Sequence, residues 1–201
     1  MKAATIGFPE ESRRRLEFPF FFLKGRLPAL STCQVSWRML PGVTLTTVDR
    51  ECFEAALAEA RKGLEAGGVP VGAALQRDGG LVAVGHNERV QRNDPIAHGE
   101  MACLRNAGRL TSYEGTTLYT TLSPCEMCTG AVLLFGIKRL VVGEATTFAG
   151  NLNAFKERGV EVILLDDARC KDLMAEFQKR CPDVWAEDIG EAPSAEAERV
   201  I

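Results

Sequence analysis

His98-Gly99-Glu100 and, further on, Pro124-Cys125-Glu126-Met127-Cys128 concentrate the side chains of this chain best suited to chemistry. One imidazole and two thiolates make three ligands for a zinc ion, which takes four in a tetrahedron. A structural site draws its fourth ligand from protein, whereas a catalytic site leaves that position to water. No further residue stands at a spacing that completes the set, so His98, Cys125 and Cys128 predict a zinc with an open position. Cys103 is assigned to helix packing. Glu100, two residues beyond the histidine, is placed to handle the proton of that water without binding the metal. Cys125 and Cys128 are spaced i, i+3, on one side of a helical turn, so both can face one ion.

Zinc lowers the pKa of bound water from 15.7 toward ~7, so a zinc-activated hydroxide is the expected nucleophile at neutral pH. Both segments open predicted helices. The partial positive charge and unpaired N–H groups of a helix start favour thiolate and hydroxide there. H-x-E followed by P-C-x-x-C resembles the signature of the zinc deaminases. The reaction this resemblance implies is hydrolytic removal of an amino group from an aromatic ring. Glu100 takes a proton from water and delivers it to the ring nitrogen and then to the departing amine. Backbone groups of Ser123 and Cys125 are expected to hold the amino group and the attacking oxygen.

The elements that must position these residues begin at Thr47. Val48, Cys52, Phe53, Ala56, Leu57, Ala60 and Leu64 fall three or four apart, one face of a helix that Gly67-Gly68 ends. Val71–Leu75 and Leu81–Gly85 read as a hairpin about Arg77-Asp78-Gly79-Gly80. A loop then leads to a helix over 98–107. Thr116–Thr121 is a strand, and Cys125 opens a helix that stops at Gly136. Strands at Leu140–Val142 and Glu161–Leu165 follow, then a helix from Asp166 to about Arg180 that Pro182 ends. The pattern predicts an α/β fold whose sheet starts as a hairpin and continues through parallel crossovers.

The 201 residues suffice for one domain with tails. The domain is expected over 47–190, with an N-terminal extension over 1–46 outside the fold and a solvated tail over 191–201. The apolar run Phe18–Leu23 is too short to span a membrane and lacks the exit of a secretory signal. Glu10, Glu11 and Glu17 make the segment too acidic for a transit peptide. A net charge of −3 argues against a large basic face for nucleic acid. Seven cysteines with one tight pair fit a reducing cytoplasm and a metal site rather than a disulfide framework. Of the two histidines, His86 is read as structural.

Residues from about 50 to 190 resemble the fungal-type cytosine deaminases of the cytidine/deoxycytidylate deaminase superfamily. The likeness rests on Gly67-Gly-Val-Pro-Val-Gly72, Gly85-His-Asn87, His98-Gly-Glu100, Thr116 through Gly130, and Trp185-Ala-Glu-Asp-Ile-Gly-Glu191. It implies a three-layer α/β/α fold with a central mixed five-stranded sheet, a homodimer, one Zn2+ per subunit, and a closed pocket for a free base. It also implies that Asn87 and the Gly99 backbone read the pyrimidine O2 and ring edge. Asp188 would accept from ring N1–H, and Phe148, Trp185 and Val71 would border the base. A nucleoside carries sugar in place of that N–H, so a buried Asp188 selects against it. The resemblance implies conversion of cytosine to uracil and ammonia in cytoplasmic pyrimidine salvage, with no nucleic-acid or membrane partner. Ala186 departs from the aromatic residue of the fungal pattern, which leaves base preference open. The alternatives are a guanine or other amino-base deaminase, a tRNA adenosine deaminase of the same fold, and a zinc protein without turnover.

Overall fold

A computed structural model describes residues 44–191, and at its centre lies one five-stranded mixed sheet. The strands are β1 (Gly72–Arg77), β2 (Gly80–His86), β3 (Thr116–Leu122), β4 (Arg139–Glu144) and β5 (Glu161–Leu164), in the order β2-β1-β3-β4-β5. β1 pairs antiparallel with both β2 and β3, while β3–β4 and β4–β5 are parallel. Asp78 and Gly79 both adopt positive φ between β1 and β2. That two-residue turn matches the twist of the strands it joins.

The longer helices are α1 (Thr47–Glu65), α3 (Gly99–Ala107), α4 (Glu126–Phe135) and α6 (Ala168–Arg180); the shorter ones are α2 (Arg89–Arg92), α5 (Leu152–Glu157) and α7 (Pro182–Asp188). Alternation along the strands sorts them into two layers, because successive side chains point to opposite faces. Ala73, Leu75, Leu118, Leu140 and Val142 meet Cys103, Leu104, Val132 and Phe155 from α3, α4 and α5. Ala74, Tyr119, Val141 and Ile163 meet Phe53, Ala56, Leu57 and Cys170 from α1 and α6. The expected α/β/α layering follows. α1 and α3 lie against bare strand backbone: a methyl group at Gly72 would stand 2.1 Å from Ala56 O, and one at Gly85 2.4 Å from Cys103 N.

Thr46 caps α1 through a reciprocal pair of bonds with Asp49. Asp49 also accepts from the Tyr119 hydroxyl at 2.7 Å and from Arg139, which ties the start of α1 to β3 and β4. Burial pushes the Asp49 carboxyl up, but the bonds from Arg139, Tyr119 and Thr46 outweigh it and hold it well below the usual carboxylate range.

Three expectations shift. Leu45 is buried in the core and Thr46 caps α1, so the folded part starts at least two residues before the expected boundary. The rest of the expected extension, 1–43, and the tail from 192 lie outside the described residues. Pro182 opens α7 instead of merely ending α6, since the first helical position needs no N–H. α2 and α5 are too short to show a periodic apolar face and were not expected from the pattern. Among the described residues, no helix is long and apolar enough to cross a membrane.

Candidate metal centre and active site

His98 and Cys125 are the N-cap residues of α3 and α4, each in extended conformation, and neither serves as a side-chain cap of its helix. A serine or aspartate there would turn back to the helix N–H groups. The imidazole and thiol instead meet each other, His98 Nδ1 to Cys125 Sγ at 3.5 Å. Among the described residues, His98, Cys125 and Cys128 form the one cluster of potential ligands, their donor atoms all within 4.8 Å of one another. Tetrahedral zinc bonds of ordinary length place a nitrogen and a sulfur ligand about 3.5 Å apart. The donor set and its spacing therefore fit zinc.

In the polypeptide alone the cluster holds shared protons. The bond with Cys128 draws the Cys125 thiol down to about 4, helped by His98 and against the effect of burial. The same bond, with burial, pushes Cys128 well up. Burial pulls His98 down, but the bond to Cys125 and the Asp188 and Glu100 charges raise it overall. A cation entering here displaces those protons.

Glu100 sits in the first turn of α3 and is 3% exposed. Thr120 Oγ1, from the middle of the sheet, lies 3.2 Å from Glu100 Oε1 and 3.0 Å from Leu122 O, its single hydrogen shared between the two acceptors. Burial pushes the Glu100 carboxyl above the ordinary carboxylate range, and the Cys125 sulfur acts the same way; its own backbone bond and His98 oppose them. A carboxyl raised in this way is suited to giving as well as taking a proton.

These groups line a cavity of ≈ 20 Å3 at the end of the sheet where β2, β3 and β4 finish and β1 begins. Val71, Asn87, Ser123, Phe148, Trp185 and Asp188 line it together with His98, Glu100 and Cys125. Gly99 and Cys128 are not among the lining residues. Cys128 is fully buried behind it, and Gly99 packs against the Val71 backbone, where a methyl group would meet Val71 O at 2.7 Å. Asn87 Nδ2 donates to Asp188 Oδ1 at 3.0 Å, and Asn87 N donates to Val71 O. Phe148 and Trp185 meet edge to face, ring centroids 6.3 Å apart. Ser123 N donates to Glu144 O and its hydroxyl to Ala149 O. Ala186 lies off the lining, and its carbonyl accepts from Glu191 N.

Sequence reasoning missed Arg89, Leu122, Ile189 and Thr120. Leu122 and Ile189 line the cavity beside residues already singled out, so adjacency was their signal. Thr120 stood inside an expected strand, but nothing in the pattern aimed it at Glu100. Arg89 had none: its partners, Asp188 and Glu187, lie about a hundred positions away.

Comparison with known proteins agrees with this geometry. The sequence model of the cytidine and deoxycytidylate deaminase zinc-binding region matches residues 46–144. A cytosine deaminase of Candida albicans is 49% identical over 150 residues, covering 73% of this chain and 100% of that protein. A tRNA-specific adenosine deaminase of Bacillus subtilis is 41% identical over 100 residues, 48% of this chain and 62% of that one. A solved structure of guanine deaminase from Nitrosomonas europaea superposes with a TM-score of 0.54 at 24% identity, over 68% of this chain and 87% of that one, a likeness of fold.

Proposed function

The chain belongs to the cytidine and deoxycytidylate deaminase family of zinc-binding proteins, and from that membership we propose that it converts cytosine and water to uracil and ammonia. The observation that carries the reading is the match to a cytosine deaminase along that protein's whole length.

Bound by His98, Cys125 and Cys128, zinc supplies an activated water as nucleophile. Glu100 is the proton carrier: it takes one proton from the attacking water and gives it to ring N3, then takes the proton of the new C4 hydroxyl and gives it to the amine, which leaves as ammonia. Thr120 holds it for that task. Asp188 Oδ1 is taken by Asn87 and Arg89, so Oδ2 is the acceptor for ring N1–H. Asn87 and the Gly99 N–H read O2, Phe148, Trp185 and Val71 border the ring, and the Ser123 carbonyl accepts from the amino group. A cavity of ≈ 20 Å3 holds about one water, so part of its lining must shift for a base to enter, and α7 carries Trp185 and Asp188 of that lining.

The wider setting belongs to the same reading: a homodimeric, cytoplasmic enzyme of pyrimidine salvage that acts on the free base and not on nucleic acid. For the dimer, Leu134 and Phe135 of α4 stand exposed beside Ile96 along a groove of ≈ 1090 Å3, an apolar face that a second copy would cover. The catalytic domain runs from Leu45 to about residue 190, with the extension and tail outside it.

Ammonia release from cytosine, cytidine, guanine and adenine by the zinc-loaded protein tests the function. Turnover of cytosine is expected, with little on the other three. Turnover of guanine or cytidine without cytosine overturns the substrate assignment.

A further inference from the structure

Arg89 follows Asn87 by two residues, on the short helix that bridges β2 to the loop before His98. Its side chain is only 12% exposed. Nη1 donates to Asp188 Oδ1 at 2.9 Å and Nη2 to Glu187 Oε1 at 3.0 Å. Its backbone N–H donates to Asn87 Oδ1 at 3.1 Å, and Asn87 closes the ring by donating to Asp188. Its Nε is buried with no hydrogen-bond partner. A guanidinium kept out of water with one N–H unmatched is costly unless fixed counter-charges offset it.

Of its two partners, Asp188 is 7% exposed and needs the arginine in turn, whereas Glu187 is 68% exposed and adds less. Glu187 and Asp188 are adjacent carboxylates in the last turn of α7, where helix carbonyls already present partial negative charge. Two like charges there repel each other and the helix end. The arginine fork spans both, which a point charge cannot do. Trp185, on the same helix, lines the cavity with Asp188.

We propose that Arg89 is a positioning residue for base recognition: it orients the Asp188 carboxylate and latches α7 over the cavity, so substrate enters when the fork lets go of α7. The proposal rests on the reading of Asp188 as the acceptor for the base. Arg89 touches no reacting atom. Its loss shows in binding more than in the chemical step.

The test uses zinc-loaded full-length protein, wild type beside Arg89→Gln, Arg89→Lys and Arg92→Gln. Arg92 lies on the same helix, half exposed and paired with Glu88, and serves as the control. Steady-state kinetics on cytosine, amide hydrogen exchange across residues 183–190 without substrate, and zinc content are read for each. Arg89→Gln should raise KM about tenfold or more, the worth of a hydrogen bond to a charged group, with kcat within about threefold. Exchange across α7 should quicken by a similar factor. Arg89→Lys keeps the charge without the fork and should recover part of both losses. Arg92→Gln should match wild type.

Wild-type KM and exchange in Arg89→Gln overturn the proposal. So does a fall in kcat at unchanged KM, which would put Arg89 in the chemical step. If Arg89→Gln does not fold, a folded Arg89→Lys decides: raised KM with quickened exchange supports the latch, and wild-type values overturn it. A wild-type protein inactive on cytosine sinks the substrate reading alone, and the exchange measurements still judge the latch.

Discussion

Asn87 Nδ2 and Asp188 Oδ1 meet at 3.0 Å although 101 positions separate them in the chain. The bond joins the loop after β2 to the last turn of α7 and closes the cavity from opposite sides. On the proposed reading, replacing Asp188 by alanine removes the acceptor for ring N1–H. kcat/KM on cytosine should fall about 100-fold, the cost of a lost hydrogen bond to a charged group at a site that excludes water. Cytidine, which has no such N–H, should gain relative to cytosine. Kinetics on the two substrates check this, and an unchanged ratio refutes the account of base selection.

Glu100 is buried in the site and within hydrogen-bond reach of Thr120. Glu100→Ala should keep its zinc, since the carboxylate is not a ligand, and lose turnover by about 100-fold or more, the usual range for a general acid–base. Metal analysis and ammonia release on one sample separate the effects. Retained turnover would sink the assigned role.

Cys125 and Cys128 differ in what they hold besides metal. Cys125 starts α4, and Cys128 is fully buried one turn on. Cys125→Ser should lose most of its zinc, because a hydroxyl is a poor substitute for thiolate, and its melting temperature should fall to that of chelator-treated wild type. Full zinc occupancy in the variant would remove Cys125 from the ligand set.

Much of this was legible in the sequence because its signals are local. His98, Glu100, Cys125 and Cys128 sit within short motifs at helix starts, and the β-branched and apolar runs of β3 and β4 marked them as strands. The hairpin was legible from Asp78-Gly79. What escaped depends on contacts between distant segments. Arg89 resembles any loop arginine until α7 folds beside it. Asp49 suited a helix start, but the same carboxylate also meets Tyr119 and Arg139, which no spacing announces. Pro182 was read as a stop, and a proline that ends one helix can equally open the next.

Asp49 gives a prediction on stability and pH. Its folded-state pKa lies below its unfolded value, so its contribution is complete above the unfolded value and is lost as pH falls toward the folded one. Asp49→Asn should cost about 3 kcal/mol at neutral pH, since it leaves Arg139 without its main partner and weakens the cap of α1. The gap between variant and wild type should stay constant above about pH 5 and narrow below about pH 4. Denaturant titrations across that range measure it. A gap that does not change with pH would show that the charge of Asp49 is not what stabilises the fold.

Gly99 separates the zinc ligand His98 from Glu100, and its bare Cα lets α3 start against the Val71 backbone. An added methyl group would lie 2.7 Å from Val71 O and 3.2 Å from Val71 C. Neither is the tip of a flexible chain, so the strand entry or the start of α3 must yield. Val71 O also accepts from Asn87 N at 2.8 Å, so a displaced Val71 carries Asn87 with it. Two effects compete in Gly99→Ala. Alanine favours the helix by up to about 1 kcal/mol, while overpacking against fixed backbone costs about 1–3 kcal/mol. The net change in stability should be small and unfavourable, about 1 kcal/mol. Function should suffer more than stability, because the residues that move are the cavity wall and the two groups flanking Gly99. We expect kcat/KM on cytosine to fall at least about tenfold with zinc retained, as displacements of an ångström do at catalytic sites. Melting, metal analysis and kinetics on one preparation test it. Wild-type kcat/KM in Gly99→Ala would mean that Val71 yields freely and does not fix the pocket wall.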